Sequence, residues 1–151
     1  MGWIVGVLLP LGLAGGVISL RWNATRLTRT IEVPSGQPTA AFRGSFWSLP
    51  AGGTKGYWAK LEFFDWGIRV RGSKPGGFLL PVFEVRYTEL TDARLVAARG
   101  RQGIRFRSDA LPAPVTFETF ADSIPRIVSL LEDWDVPINR ETGHIGWLPG
   151  D

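Results

Sequence analysis

The apolar positions of this chain follow three successive patterns. Residues Trp3 to Leu20 form a run of eighteen positions without a charged side chain, which as a helix would span roughly 27 Å. From Ala40 onward, short alternating runs are separated by Gly and Pro, as is typical of antiparallel strands. The third pattern is a helical stripe at Ile124, Ile127, Val128 and Leu131. The sequence therefore predicts an apolar N-terminal helix, a β-rich domain and one C-terminal amphipathic helix.

The N-terminal run predicts a single transmembrane anchor. The alternative, a cleaved signal peptide, needs positive charge before the run and a small-x-small site after it, and only two uncharged residues precede the run. Arg21 and Arg26 follow it, and Trp3 and Trp22 mark its two ends, where indoles favour the headgroup region. The positive-inside rule then places the N-terminus outside and the domain in the cytoplasm, in a single-pass protein of the plasma (inner) membrane.

Two glycine pairs in this region have the small-xxx-small spacing that lets membrane helices approach closely: Gly2/Gly6 and Gly12/Gly16. They would allow two copies of the chain to associate, although the sequence itself offers no partner helix. Glycine is also common in membrane helices without such contact. Two options are therefore open: homo-oligomerisation through these pairs, or a helix whose glycines make no such contact.

One hairpin of the β-rich part has a register that follows from its side chains. Tyr57–Phe64 and Gly67–Gly72 are strand-like runs joined by a short connection. A loop with an even residue count places apolar residues opposite each other, with Leu61 opposite Val70. The other face of the hairpin then collects the charged residues: Lys60, Glu62, Arg69 and Arg71. This arrangement predicts a half-buried antiparallel pair.

The same reasoning locates the remaining elements. Strands are predicted at Phe42–Leu49, Phe78–Tyr87, Ala93–Arg99, Gly103–Ser108 and Val115–Glu118, with a short one at Arg29–Val33. The helix is expected from about Ser123 to Asp133, with Pro125 in its first turn and Trp134 extending its apolar stripe. Residues from Asn139 onward are expected to form a loose tail. The predicted fold class is mainly β with one C-terminal α-helix, built on about seven antiparallel strands.

Composition excludes several kinds of chemistry. The 151-residue chain has no cysteine, which rules out disulfides, thiol nucleophiles and thiolate metal sites. The single histidine, His144, lies in the predicted tail, which argues against a Ser-His-Asp triad. The carboxylates are accounted for as turn, cap and surface residues. We therefore expect no enzyme, no cofactor and no metal site.

The order of elements resembles the pleckstrin-homology (PH) superfold, in which a helix closes one end of a strongly bent barrel. The local sequence is similar to bacterial PH-like and GRAM-like domains in three segments: the hairpin Phe63–Ile68, the Val-Arg-Tyr-Thr-Glu-Leu segment 85–90, and the helix 124–131. The resemblance covers 40–136. It implies a PH-like domain there, between an anchor at 1–22 with a juxtamembrane linker at 23–39 and a tail at 137–151.

The resemblance also suggests binding residues. Some PH domains bind phosphoinositides through a lysine and a basic-x-basic pair, and Lys60 with Arg69 and Arg71 matches this pattern, although the connecting loop is short and Glu62 shares the face. A second basic cluster lies on a later hairpin at Arg101, Arg105 and Arg107. These two clusters are the candidate lipid- or partner-binding residues, and a solvated charged face is the alternative interpretation.

We therefore predict a membrane-anchored, non-catalytic PH-like module that binds a membrane-associated protein, with anionic lipid headgroups as a second partner. Nucleic acid binding needs a concentrated basic surface, for which the hairpin with Arg101, Arg105 and Arg107 is the best candidate. For a membrane-tethered domain, anionic lipid or an acidic protein is the expected partner of these arginines, and nucleic acid is not. Two alternatives remain open. One is an exported small β-barrel that binds an apolar ligand, and the other is an uncharacterised enzyme that uses carboxylates and arginines alone.

Overall fold

The computed structural model describes residues 28–32, 36–48, 54–73, 80–98 and 101–144, and the structural statements below refer to these residues. Eight strands and one α-helix are present among them. The strands are β1 Ala40–Ser48, β2 Thr54–Phe63, β3 Gly67–Gly72, β4 Phe83–Arg86, β5 Asp92–Ala98, β6 Arg101–Arg107, β7 Val115–Thr119 and β8 Ile138–His144. The helix α1 spans Ile124–Glu132, and short 3₁₀ turns occupy Tyr87–Glu89 and Ala121–Ser123.

The eight strands form one open mixed sheet in the order β4-β3-β2-β1-β7-β6-β5-β8. This confirms a mainly β fold with one C-terminal helix. The expectation of about seven antiparallel strands needs correction, because β8 pairs with β5 in parallel. The loose tail expected from Asn139 is wrong for the strand Ile138–His144. This strand lies at a sheet edge, where main-chain bonding to one neighbour suffices, so its polar sequence carries no alternating apolar signal.

The predicted hairpin register is confirmed. Leu61 pairs with Val70 and Lys60 with Arg71 across β2 and β3. Two other elements differ from expectation. The strand β6 begins at Arg101, two residues earlier than predicted, and Arg101 pairs with Ala98 of β5. The strand expected at Phe78–Tyr87 is confined to Phe83–Arg86 within the described residues, and Pro81, which precedes it, has no N–H to give to a sheet.

The hydrophobic core lies between one face of the sheet and α1. The four residues of the predicted helical stripe are all buried, which confirms that prediction. They pack with a set of phenylalanines from the sheet, among them Phe46 and Phe83, whose rings meet edge to face at 5.7 Å. Trp134 does not extend the buried stripe. Its side chain is 46% exposed and stacks on Tyr87 with a centroid distance of 4.7 Å.

Two features shape the middle of β1: the close approach of β7 to Gly44 and a β-bulge in the pairing with β2. A Cβ on Gly44 would lie 2.0 Å from the carbonyl oxygen of Glu118, so β7 reaches this distance only because the residue is glycine. The register with β2 shifts directly after Gly44, and the segment of β2 opposite the shift includes Trp58. This β-bulge redirects the local side chains.

No helix in the described part of the chain is long and apolar enough to cross a membrane. This finding contradicts the predicted localisation, a single-pass plasma-membrane protein with a cytoplasmic domain, and that prediction is withdrawn. The residues on which it rested lie outside the described residues: Trp3, Arg21, Trp22, Arg26 and the glycine pairs Gly2/Gly6 and Gly12/Gly16. The division of the chain into four segments stays a prediction.

Candidate interaction groove

The outer face of β2, β3 and β4 carries an ion network, called the paired face below: Glu62, Arg69, Arg71 and Glu84. Arg71 donates from Nε and Nη2 to the two carboxylate oxygens of Glu62 at 2.8 and 2.7 Å. Arg69 donates from Nε to Glu84 at 2.6 Å. Both carboxylates are buried, and the hydrogen bond from Arg71 to Glu62 raises the pKa of Arg71. Two arginines predicted to meet a ligand are thus neutralised within the fold.

Residues 28–31 complete this network along the free side of β4. The backbone N–H of Ile31 donates to the second carboxylate oxygen of Glu84 at 2.9 Å. The Arg29 guanidinium donates to the carbonyl of Glu84 and to the Glu89 carboxylate, both at 2.8 Å. The hydrogen bond from Arg29 lowers the pKa of Glu89. Arg29 also forms an isolated parallel bridge with Phe83. Among the described residues 29–32, this bridge is all that is present of the strand predicted at Arg29–Val33.

Beside the paired face lies a groove of about 990 Å³, called the groove below. It is bordered by the outer sides of five neighbouring strands, β3, β2, β1, β7 and β6, and by the turn that follows β7. The side chains that determine its charge and its aromatic surface are Arg43, Trp58, Lys60, Arg71, Arg101 and Phe120. Four of these are cations and two are large aromatic residues.

Trp58 adopts a left-handed backbone conformation, with φ at 67°. For a bulky residue this is an outlier that costs about 1–2 kcal/mol. Its carbonyl oxygen is held by the backbone N–H and the hydroxyl of Ser73, at 2.6 and 2.5 Å. The indole is nevertheless 68% exposed, so its own packing does not repay the strain.

Phe120 lies at the end of β7, immediately before the 3₁₀ turn that leads into α1. Its carbonyl accepts a hydrogen bond from the Ser123 N–H at 2.9 Å, which fixes the backbone, while its ring is 77% exposed. Trp58 and Phe120 are therefore two large apolar side chains presented to solvent around one groove. Clustered exposed aromatic residues mark interaction surfaces more often than isolated ones do.

The charges of the groove are arranged by strand register. Arg43 pairs with Lys60, and Lys60 with Arg71, so three cations form one row across β1, β2 and β3. Within the described residues, neither Arg43 nor Lys60 takes part in an ion pair. Like charges at directly opposed positions repel. The row is thus left without a neutralising partner at two of its three positions.

On the other side of β1, Arg101 contacts the buried carboxylate of Glu118 at 3.3 Å. Ser45 donates from its hydroxyl to the same Glu118 oxygen at 3.4 Å. The Arg101 side chain remains 62% exposed, so it retains N–H groups that face solvent. Glu118 is the carboxylate among the described residues that line the groove.

The structure separates the predicted site residues into three groups. Lys60, Arg71 and Arg101 come together at the groove. Arg69 belongs to the paired face, and its guanidinium also lies over the Phe64 ring at 4.7 Å. The remaining two, Arg105 and Arg107, lie farther along β6 and do not line the groove, and Arg105 donates to the Thr116 hydroxyl at 3.3 Å.

Sequence reasoning missed Arg43, Trp58 and Phe120. A signal existed for Trp58, because strand alternation places it on the charged face with Lys60 and Glu62, where an aromatic residue is unusual. No comparable signal marks Phe120, since it follows the last residue of a strand. As to metal chemistry, no group of three or more acidic or histidine side chains in the described ranges is placed to hold an ion.

No family model matches the chain, and no curated protein matches it. Among solved structures, a chain of the "Structure of the Spt16D Pob3N heterodimer" is similar, with a TM-score of 0.50 and 14% sequence identity. The match covers 74% of this chain and 60% of that chain, so this protein spans less than two thirds of its neighbour. The likeness concerns the fold, and it supports a PH-like β-sheet fold. The bacterial character of the resemblance stays a prediction.

Proposed function

We propose that this protein is a non-catalytic PH-like interaction module that binds a segment of a partner protein in the groove. The observation that carries the proposal is Trp58, an exposed indole held at the groove in a strained backbone conformation. Such strain persists where the surrounding structure enforces it, and it clusters at binding sites. Tryptophan is also one of the residues, with tyrosine and arginine, that are enriched among the hot spots of protein interfaces.

The solved structure of similar fold is described as a heterodimer, which makes protein association a reasonable role for this fold by analogy. The phosphoinositide pattern suggested by Lys60, Arg69 and Arg71 has weaker support. Two of these three residues donate to buried carboxylates, so a headgroup would have to compete with Glu62 and Glu84. The barrel that binds an apolar ligand is disfavoured in turn, because four cations line the groove.

Site-specific crosslinking in the full-length protein tests this proposal. A photoreactive phenylalanine analogue replaces Phe120 at the groove, and in a matched control it replaces Thr88, an exposed residue outside the groove. We expect a discrete protein adduct from position 120 that is absent from position 88 and is lost when Trp58→Gly is added. Equal adducts from both positions, or none from position 120, would contradict the proposal.

A further inference from the structure

The geometry points to an extended acidic peptide segment as the occupant of the groove, with an apolar side chain placed between Trp58 and Phe120. This inference rests on the proposed function and names the chemistry of the partner. Three features of the groove support it: the spread of its cations, the position of its aromatic residues, and the lack of an ion pair at Arg43 and Lys60 within the described residues.

The cations are spread over a distance that suits a peptide. Arg71, Lys60, Arg43 and Arg101 lie on β3, β2, β1 and β6, and β7 lies between the last two. The registers of β1 with β7 and of β7 with β6 place Arg101 in line with Arg43. Adjacent strands are about 4.8 Å apart, so the four cations together extend over roughly 19 Å. An extended segment of about six residues covers the same distance. A single lipid headgroup would contact only part of the row.

The aromatic residues require a ligand that is not purely ionic. Trp58 and Phe120 together expose most of two large rings at the groove, and burying them provides apolar contact that an inorganic anion does not offer. An acidic peptide with a leucine or phenylalanine among its carboxylates satisfies both features. Tryptophan and arginine, both present here, are the residues that contribute most to interface affinity.

The buried Glu118 carboxylate determines which cations of the groove gain most from an acidic ligand. It lies against Arg101 and Ser45, so it already offsets part of the charge of Arg101. Arg43 and Lys60, which have no ion pair in the described residues, are the cations that gain most from a bound anion. They are therefore the positions at which charge reversal should matter most.

The test uses the full-length chain and a fluorescent peptide of about eight residues that contains Glu and Asp around one Phe. A matched peptide carries Gln and Asn at the acidic positions. Anisotropy titrations should give about tenfold tighter binding of the acidic peptide, and the difference should shrink between about 50 and about 200 mM salt. Lys60→Glu should weaken acidic-peptide binding by about tenfold, and a Lys-containing peptide should then bind better.

Arg126→Glu is the matched control, because it makes the same change in net charge at an exposed residue of α1 that does not line the groove. It should leave the affinity for the acidic peptide within about twofold of the original value. Trp58→Gly should weaken binding of both the acidic peptide and its amide counterpart, since both lose the same apolar contact.

Three outcomes would overturn the inference. One is equal affinity for the acidic and amide peptides, a comparison that needs no variant protein. Another is an equal effect of Lys60→Glu and Arg126→Glu. The last is tighter binding to phosphatidylcholine vesicles with about 20% phosphatidylserine than to the acidic peptide, which would assign the groove to lipid. If the crosslink from position 120 persisted in the first two cases, the groove would still be an interaction site, with a partner of different chemistry.

Discussion

The paired face and the groove are neighbouring parts of one sheet surface, and both contain arginines on β-strands. On the paired face, each arginine meets a carboxylate that is almost fully buried. In the groove, Arg43 and Lys60 meet no carboxylate in the described residues, and the nearby aromatic residues are exposed. Arg71 belongs to both regions, because it lines the groove while donating to Glu62.

This difference shows which basic residues remain available to a ligand. A buried carboxylate is costly to desolvate unless cations and hydrogen bonds compensate it, so Glu62 and Glu84 require their arginines. A residue pattern that resembles a ligand site can therefore serve the fold alone. Binding capacity is instead expected where cations lack internal partners and where backbone strain keeps an apolar side chain in solvent.

The largest effect is expected from removing a carboxylate of the paired face. Glu62→Ala leaves Arg71 without its two hydrogen bonds, and the free energy of unfolding should fall by about 2 kcal/mol. The loss is smaller than for a fully buried pair, because the Arg71 side chain is 42% exposed and can be hydrated. Urea denaturation of the full-length protein measures the change.

Two comparisons sharpen this prediction. Glu132→Ala removes the exposed pair with Arg140 and should cost less than about 0.5 kcal/mol. A larger loss for Glu132→Ala than for Glu62→Ala would mean that the paired face does not stabilise the fold. Because Glu62→Ala also frees Arg71, the acidic peptide should bind about twofold tighter to this variant than to the original protein.

A smaller effect is expected from the strained backbone of the groove. Trp58→Gly and Trp58→Ala remove the same exposed indole, but only glycine adopts the left-handed conformation at low cost. The glycine variant should therefore be more stable than the alanine variant by about 1 kcal/mol, measured as the difference in thermal or urea unfolding. Equal stabilities would show that the left-handed conformation is not retained without the indole.

Most of the sheet could be predicted from sequence because its strands alternate regularly. Leu61 and Val70 define a buried face, and the even loop then fixes the register of their hairpin. The strand Ile138–His144 could not be found in this way, since it is held at an edge by main-chain bonds to β5. Its pairing depends on the path of the chain after α1, which local patterns do not encode.

The site was less predictable for a related reason. Lys60 and Arg71 were identifiable as basic residues on one face. Whether each of them is paired with a carboxylate depends on neighbours across strands. Glu84 lies on a different hairpin from Glu62, and it holds Arg69 at 2.6 Å. The left-handed conformation of Trp58 arises from the bulge opposite β1, so it depends on the pairing of two strands and not on the tryptophan itself.

The smallest effect concerns stability in acid and comes from the pair beside the paired face, where Arg29 lowers the pKa of Glu89. A carboxyl with a lowered folded-state pKa stabilises the protein above its ordinary pKa of 4.5, and this contribution is lost as the pH falls through the folded-state value. Glu89→Gln should therefore cost less than about 1 kcal/mol at pH 7, because the pair is partly exposed. The urea midpoints of the variant and the original protein should converge in acid. Glu141→Gln makes the same substitution at an exposed residue of β8, and as the control it should cost less at pH 7 than Glu89→Gln does. A gap that stayed constant with pH would mean that Glu89 acts through its hydrogen bonds alone, and that residues 28–31 are held to β4 without help from its charge.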